Sequence, residues 1–171
     1  KGIRIENNLI HHIEQNNTEL YNYDANAHGL VVYGNAVAPI EGLVICGNEL
    51  YSLKLGASEA MVVNGNVANF QICNNQVHHV NNIAIDAIGY EGVNADPELN
   101  RARNGLISGN RIWAVDSSTN PAYGGNFSTG GGARAAAGIY VDGGTQILIE
   151  RNEVWDCNFG VELASEHQDG K

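Results

Sequence analysis

The sequence predicts an all-β solenoid, in which short strands stack coil upon coil with tight turns at the corners. The expectation rests on the strand-and-turn pattern of residues 137–157, on the recurrence of that pattern, and on the residue types at its corners. Residues 138–142 alternate apolar and polar before Gly143 and Gly144 turn the chain, and residues 146–150 form a second strand. Arg151 and Asn152 make a two-residue corner, and residues 153–157 form a third strand. Alternation of period two bounded by Gly and Asn marks strands, and none of these segments is long enough for a helix.

The third strand and its corner obey a frame, Ile-x-x-Asn-x-apolar-x-x-apolar, that occurs five times. Its copies are Ile5/Asn8/Ile10/Ile13, Ile45/Asn48/Leu50/Leu53, Ile72/Asn75/Val77/Val80, Ile107/Asn110/Ile112/Val115 and Ile149/Asn152/Val154/Cys157. The residues before each Asn are Asn7, Gly47, Asn74, Gly109 and Arg151. Four of these five are types that enter a left-handed backbone at low cost, as a sharp corner demands. A first strand also recurs, beginning at Leu30, Met61, Ile83, Ile139 and Val161. Units of this size cannot bury their own apolar face, so they must stack.

On these residues the chain resembles the right-handed parallel β-helix repeat family, a pectate-lyase-like group rich in polysaccharide lyases, glycoside hydrolases, epimerases and adhesins. The resemblance covers nearly the whole chain. It implies a single-stranded parallel β-helix of about five coils with three parallel sheets. The strand ending at Asp142 would lie in sheet one, residues 147–150 in sheet two and 154–157 in sheet three. The Asn column would form a ladder at one corner. The resemblance also implies a bacterial protein that is secreted, periplasmic or on the cell surface. It does not specify a reaction, since one scaffold hosts many chemistries.

The 171 residues suffice for one such domain, 1–171. The chain opens in mid-pattern, shows no signal peptide and lacks a polar cap at either end. It therefore reads as part of a longer solenoid whose uncapped coils could associate end to end. No run of apolar residues is long enough to span a membrane. A net charge of −10 argues against nucleic acid as a partner, and it disfavours a polyanionic sugar unless a cation intervenes. Cys46 and Cys73 share one repeat position. A disulfide could span that spacing, but two free thiols are expected because in-register cross-links are geometrically awkward. Cys157 replaces an inward apolar residue and should be a core thiol.

Two insertions, 89–103 and 116–136, interrupt the stack on either side of one coil. Long loops in a compact domain are usually functional or disordered, and both emerge beside the sheet-one strands, so together they predict a walled groove. With Ile139 and Val141 turned inward, Tyr140 and Asp142 point out. Aligning Ile83 with Ile139 makes Asp86 and Asp142 direct neighbours, at about 4.8 Å, with Glu162 one coil further on and diagonal to Asp142. Carboxylates that close cannot both ionise freely, so one should keep a proton near neutral pH. The preferred expectation is a glycoside hydrolase acting on a polysaccharide or oligosaccharide, and a separation of about 5 Å suits retention. Asp86 and Asp142 are the acid/base or nucleophile pair and Glu162 assists. Tyr140, Glu91, Asn64, Tyr90, Arg134 and His167 bind substrate.

Each of these residues also has a plainer reading. Asp and Asn at strand ends satisfy turn donors, a loop Glu is commonly just solvated, and His167 lies at a ragged terminus. The alternative enzyme is a polysaccharide lyase assisted by Ca²⁺ held by Asp86, Asp142 and Glu162. Arg101, Arg103 and Arg134 are the only cations on the insertions, so that reading is short of basic groups. The alternative without catalysis is an adhesin or structural β-helix. No resident metal or cofactor is otherwise expected. The pairs His11-His12 and His78-His79 are discounted as metal ligands, because adjacent strand residues face opposite ways. His11, Tyr51, His78, Trp113 and Trp155 share an outward position on sheet three, as a sugar platform or, preferably, a structural stack.

Overall fold

A computed structural model describes residues 2–166 and shows a parallel β-helix. Sheet one stacks Leu30–Gly34, Met61–Gly65, Ile85–Ile88, Ala137–Asp142 and Phe159–Ala164. Sheet two carries Arg4–Glu6, Val44–Cys46, Gln71–Cys73, Arg103–Ser108 and Thr145–Glu150, with the short strands Ile40–Glu41 and Val67–Ala68 against its upstream end. Sheet three stacks Leu9–His11, Glu49–Leu53, Gln76–Val80, Arg111–Val115 and Glu153–Cys157. Every strand pair within these sheets is parallel. The division into three sheets follows the expected one.

The corner between sheets two and three is held by the Asn column. Asn48 donates its backbone and amide N–H groups to Oδ1 of Asn75, at 2.9 and 3.0 Å, and donates from Nδ2 to the Ile5 carbonyl at 2.8 Å. Asn75 repeats the arrangement with Asn110 and Ile45, and Asn110 with Asn152 and Ile72. The residue before each Asn is left-handed, with φ of 56° at Asn7, 69° at Gly47, 53° at Asn74, 65° at Gly109 and 55° at Arg151. Arg151 accepts the strained conformation that Gly or Asn takes cheaply, so the corner geometry overrides residue preference there.

A second left-handed column was not foreseen. His12, Ser52, His79, Ala114 and Asp156 all have φ between 52° and 55°. In the pairing of Gln76–Val80 with Arg111–Val115, His78 faces Trp113 and Val80 faces Val115, and the residue between steps out of the ladder. Each sheet-three strand thus bends at this point toward sheet one.

Inside, like side chains stack on like. Ile45, Ile72 and Ile107 form one column and Leu50, Val77 and Ile112 another, all with no exposed surface. Burying each such side chain is worth about 1.5–3 kcal/mol. Gly105 leaves space for the Phe70 ring, which occupies the position a Cβ would need. At the two terminal rungs the inner apolar surface is open, and Ile13, Val161 and Leu163 are 39%, 52% and 71% exposed.

The cysteine expectation is corrected. Cys46 and Cys73 form a disulfide across adjacent sheet-two rungs, their Cα atoms 4.6 Å apart. The in-register position is within the reach of a disulfide, so the objection from geometry fails. Cys157 is free and packs against the core, and burial pushes its thiol up to about 11.

If the ladder holds the corners, Asn75→Ala should be costly. It removes the amide donor to the Ile45 carbonyl and the oxygen that accepts two N–H groups of Asn48, all buried, while the backbone N–H of residue 75 still reaches Oδ1 of Asn110. An expected loss of about 3 kcal/mol or more in denaturant unfolding contrasts with little change for Asn7→Gly at the exposed edge.

Candidate functional site

The sheet-one face is a groove walled by both insertions, as the sequence predicts. Its larger hollow, about 350 Å³, is lined by Glu91 of the first insertion, by Tyr123 and Ala135 of the second, and by Asp86, Tyr140 and Asp142 of the floor. A second hollow of about 220 Å³ continues it past Asn64 toward His28 and Tyr33, and the two share Glu59, Ile88 and Glu91. The second insertion is an ordered wall. Asp116 and Asn120 cap two short 3₁₀ turns, Ser117–Thr119 and Pro121–Tyr123, and Asn120 donates to the carbonyls of Gly56 and Asn81 at 2.6 and 2.8 Å. In the first insertion, residues 96–99 form a single turn, closed by Leu99 N–H to the Asp96 carbonyl at 3.0 Å.

The register of the floor differs from expectation. Ile85, not Ile83, pairs with Met61 and with Ile139. Asp86 therefore faces Tyr140, and Asp142 faces Ala164 on the next rung. Asp86 and Asp142 are not direct neighbours but diagonal ones, one rung and two residues apart. Strand spacing and rise place their Cα atoms about 8 Å apart. The slip is caused at the preceding corner. Asn81 accepts from Leu55 N–H at 2.7 Å, and Asn82 donates to the carbonyls of Gly56 and Ser58. These two side chains fill the turn, so the strand starts two residues later. Glu162 faces Tyr140 and lies diagonal to Asp142, as expected.

Asp86 is 1% exposed and its Oδ1 has no hydrogen-bond partner. Burial pushes its carboxyl well above the usual carboxylate range, and the charges of Glu59, Asp142 and Glu91 push it further. Asp142 accepts from the Glu166 N–H at 3.0 Å. Tyr140 donates to Glu166 Oε1 at 2.6 Å, and burial followed by that bond raises its hydroxyl above the usual tyrosine value. Asn64 donates to Glu91 at 2.6 Å. Glu59, buried beside His28, is pushed up to about 7, chiefly by desolvation.

Not every expected residue joins this floor. Tyr90, left-handed at φ 69°, turns away to hydrogen-bond Arg101, whose guanidinium sits 5.7 Å from its ring centre. Arg134 is exposed and reaches toward Asp116 at 3.9 Å, on the outer side of the second insertion. His167 lies outside the described residues. Arg103 donates to Asn66 and to the Arg101 carbonyl, and among the described residues no Arg or Lys lines either hollow. The proposed Ca²⁺ ligands do not fit either: among the described residues, no group of three or more His, Cys, Asp or Glu is placed to hold a metal ion.

Comparison with known proteins adds a relative without a described activity. No family model matches the chain, and no solved structure matches it. An uncharacterized protein of Bacillus subtilis (strain 168), YwoF, is 42% identical over 121 residues, covering 71% of this chain and 24% of that protein. The chain thus spans about a quarter of the length of that relative.

Neither Glu59 nor Glu166 is among the site residues that the sequence suggests. Glu59 stands two residues before Met61, in a column with His28, Ile83 and Phe159 that turns toward the groove. Correct alignment of Ile85 with Met61 would have exposed that column. The adjacent histidines also need correction. The left-handed backbone at His12 and His79 brings both rings of each pair outward, with Nδ1 atoms 2.8 and 2.7 Å apart. The aromatic column does stack, with ring planes within 19° and centres 4.1–5.3 Å apart. Its rings face one another, so inner members cannot offer a flat face to a sugar.

Glu59 and Asp86 hold their protons more tightly folded than unfolded, so they favour the folded state where they are protonated. Stability from Glu59 should grow as pH falls through about 7 toward the ordinary 4.5. His28, lowered by burial from 6.5, opposes this. The readout is therefore the difference in Tm between wild type and Glu59→Gln, which should shift toward wild type as the pH is lowered over that window.

Proposed function

We propose that the chain is a glycoside hydrolase that cleaves a polysaccharide or oligosaccharide lying along the sheet-one groove. One observation carries the reading: a buried carboxyl with an unpartnered oxygen, Asp86, whose surroundings favour its protonated form, shares a groove floor with a second carboxyl, Asp142, one rung away. Environments that separate two carboxyls in this way supply an acid and a base from the same residue type. Asp86 donates its proton to the glycosidic oxygen as the bond to the anomeric carbon breaks. Water attacks that carbon from the opposite face and gives its proton to Asp142.

The diagonal register supports inversion rather than the retention suggested by directly opposed aspartates. Inverting enzymes hold their two carboxyl groups about 6.5–9.5 Å apart to admit the attacking water, and the diagonal register sets these two aspartates further apart than the spacing of about 4.8 Å between directly opposed residues. Glu162, beside Tyr140, assists from the next rung. Glu91, Asn64 and the Tyr140–Glu166 pair position sugar hydroxyls. Among the described residues no Arg or Lys lines the groove, which weighs against a lyase, since that needs a cation against the substrate carboxylate.

The Cys46–Cys73 disulfide supports a secreted, periplasmic or cell-surface location, since such bonds persist in oxidising compartments. The bacterial relative is consistent with a bacterial source. No helix among the described residues is long and apolar enough to cross a membrane. The open apolar rungs support contact with further coils or with another copy end to end.

A glycan panel assayed for new reducing ends tests the scheme. Asp86→Asn and Asp142→Asn should each lower turnover at least about 100-fold, and the first product detected by NMR should have the inverted anomeric configuration. Full activity in both variants removes the carboxylate pair. Products absorbing as a conjugated double bond would favour elimination, and retained binding without cleavage would favour an adhesin.

A further inference from the structure

We infer that the end of the groove built from Asn64, Glu59 and Glu91 is a subsite for a primary ammonium group, so that the glycan it takes carries an unacetylated amino sugar. This deepens the glycoside hydrolase reading and rests on it.

The decisive atom is Oδ1 of Asn64. The side chain is 2% exposed and lines the smaller hollow. Its amide is oriented with Nδ2 donating to Glu91 Oε2 at 2.6 Å. Oδ1 is left as a buried acceptor with no donor. Buried polar atoms normally have partners, so an unpartnered one on a side chain that lines a hollow signals a missing donor.

The surroundings say what kind of donor. Glu59 and Glu91 share that wall, and among the described residues six carboxyl groups line the adjoining hollow: Glu59, Asp86, Glu91, Asp142, Glu162 and Glu166. Among the described residues no Lys or Arg lines either one. Of the described residues there, His28 can carry positive charge. Burial lowers its proton affinity, and its Nδ1 already faces the Glu59 carbonyl at 3.3 Å. Tyr33, near His28 Nε2 at 3.4 Å, adds another oxygen.

A primary ammonium brings three N–H donors and a positive charge to this set of acceptors. A sugar hydroxyl brings one donor and no charge. A uronate or sulfated sugar would meet like charge on every side. A metal ion would need convergent ligands, and among the described residues no group of three His, Cys, Asp or Glu provides them. The position also suits a polymer. Asn64 faces Ile88 and Asp86 faces Val62, so the subsite and the proton donor are diagonal neighbours on adjacent rungs. The ammonium would belong to a sugar unit next to the bond that is cut.

Calorimetric titration with a glucosamine oligomer and an N-acetylglucosamine oligomer of equal length and linkage tests this, below neutral pH so that the amines are charged. The wild-type protein should bind the glucosamine oligomer at least about tenfold more tightly, and added salt should weaken the difference. Asn64→Leu should reduce the preference to about twofold or less. Glu91→Gln, on the insertion loop and still able to accept from Asn64, should do so without disturbing the fold. Equal affinity for both oligomers, or a preference untouched by Glu91→Gln in a folded protein, overturns the subsite. So does equal competition by spermidine, which would mean simple cation exchange. Reducing ends measured on the same mixtures separate the two readings. Preferential binding of the glucosamine oligomer without cleavage keeps the subsite and removes the hydrolase. Cleavage of the N-acetylated oligomer with no amine preference keeps the hydrolase and removes the subsite.

Discussion

The asparagine ladder is the constraint on which the rest of the molecule depends. A chain that turns sharply at the same place in every coil exposes backbone groups to a dry interior, where an unmet donor or acceptor is costly. Each ladder amide meets that need twice, binding an Ile carbonyl of the preceding coil and the amide oxygen of the following one. The left-handed residue before it opens the corner. With this corner held at the same height in every coil, sheets two and three must run in register. The apolar columns inside then follow.

Sheet one lies furthest round the coil from the ladder, and there the register bends to local demands. Asn81 and Asn82 occupy one turn and delay the strand behind it by two residues. The two insertions leave the coil on either side of the same face. The structured wall of the second is anchored by Asn120 to turns in two earlier coils. The outcome is a trough whose floor carries carboxyls on successive rungs. Part of the chain's acidity is gathered there, and the insertion arginines are engaged elsewhere. Burial and mutual repulsion make that trough hold protons more strongly than free carboxylates would.

Much of this architecture is legible in the amino-acid order. The Ile-x-x-Asn frame locates sheets two and three, the Asn column and the aromatic stack. The in/out parity of Asp86, Tyr140, Asp142 and Glu162 follows from alternation, and the placement of the insertions predicts walls. Parity cannot detect a slip of two residues, because every side chain keeps its face. That is why Asp86 was set opposite Asp142 instead of Tyr140. The same slip hid Glu59, whose column becomes visible once Ile85 is aligned with Met61. The outward pairing of His78 with His79 escaped for another reason. A left-handed residue inside a strand breaks the alternation on which the expectation was built.

The sequence by itself thus determined the fold, the ladder and which face of each strand a residue occupies, because those depend on short-range periodicity and on turn chemistry. Only the tertiary structure decided which carboxyls meet, which cations are drawn away, and that Cys46 and Cys73 are joined. These depend on how corners of different composition set the height of each strand relative to its neighbours. That height is fixed by hydrogen bonds between residues about 25 to 65 positions apart, which no local pattern records.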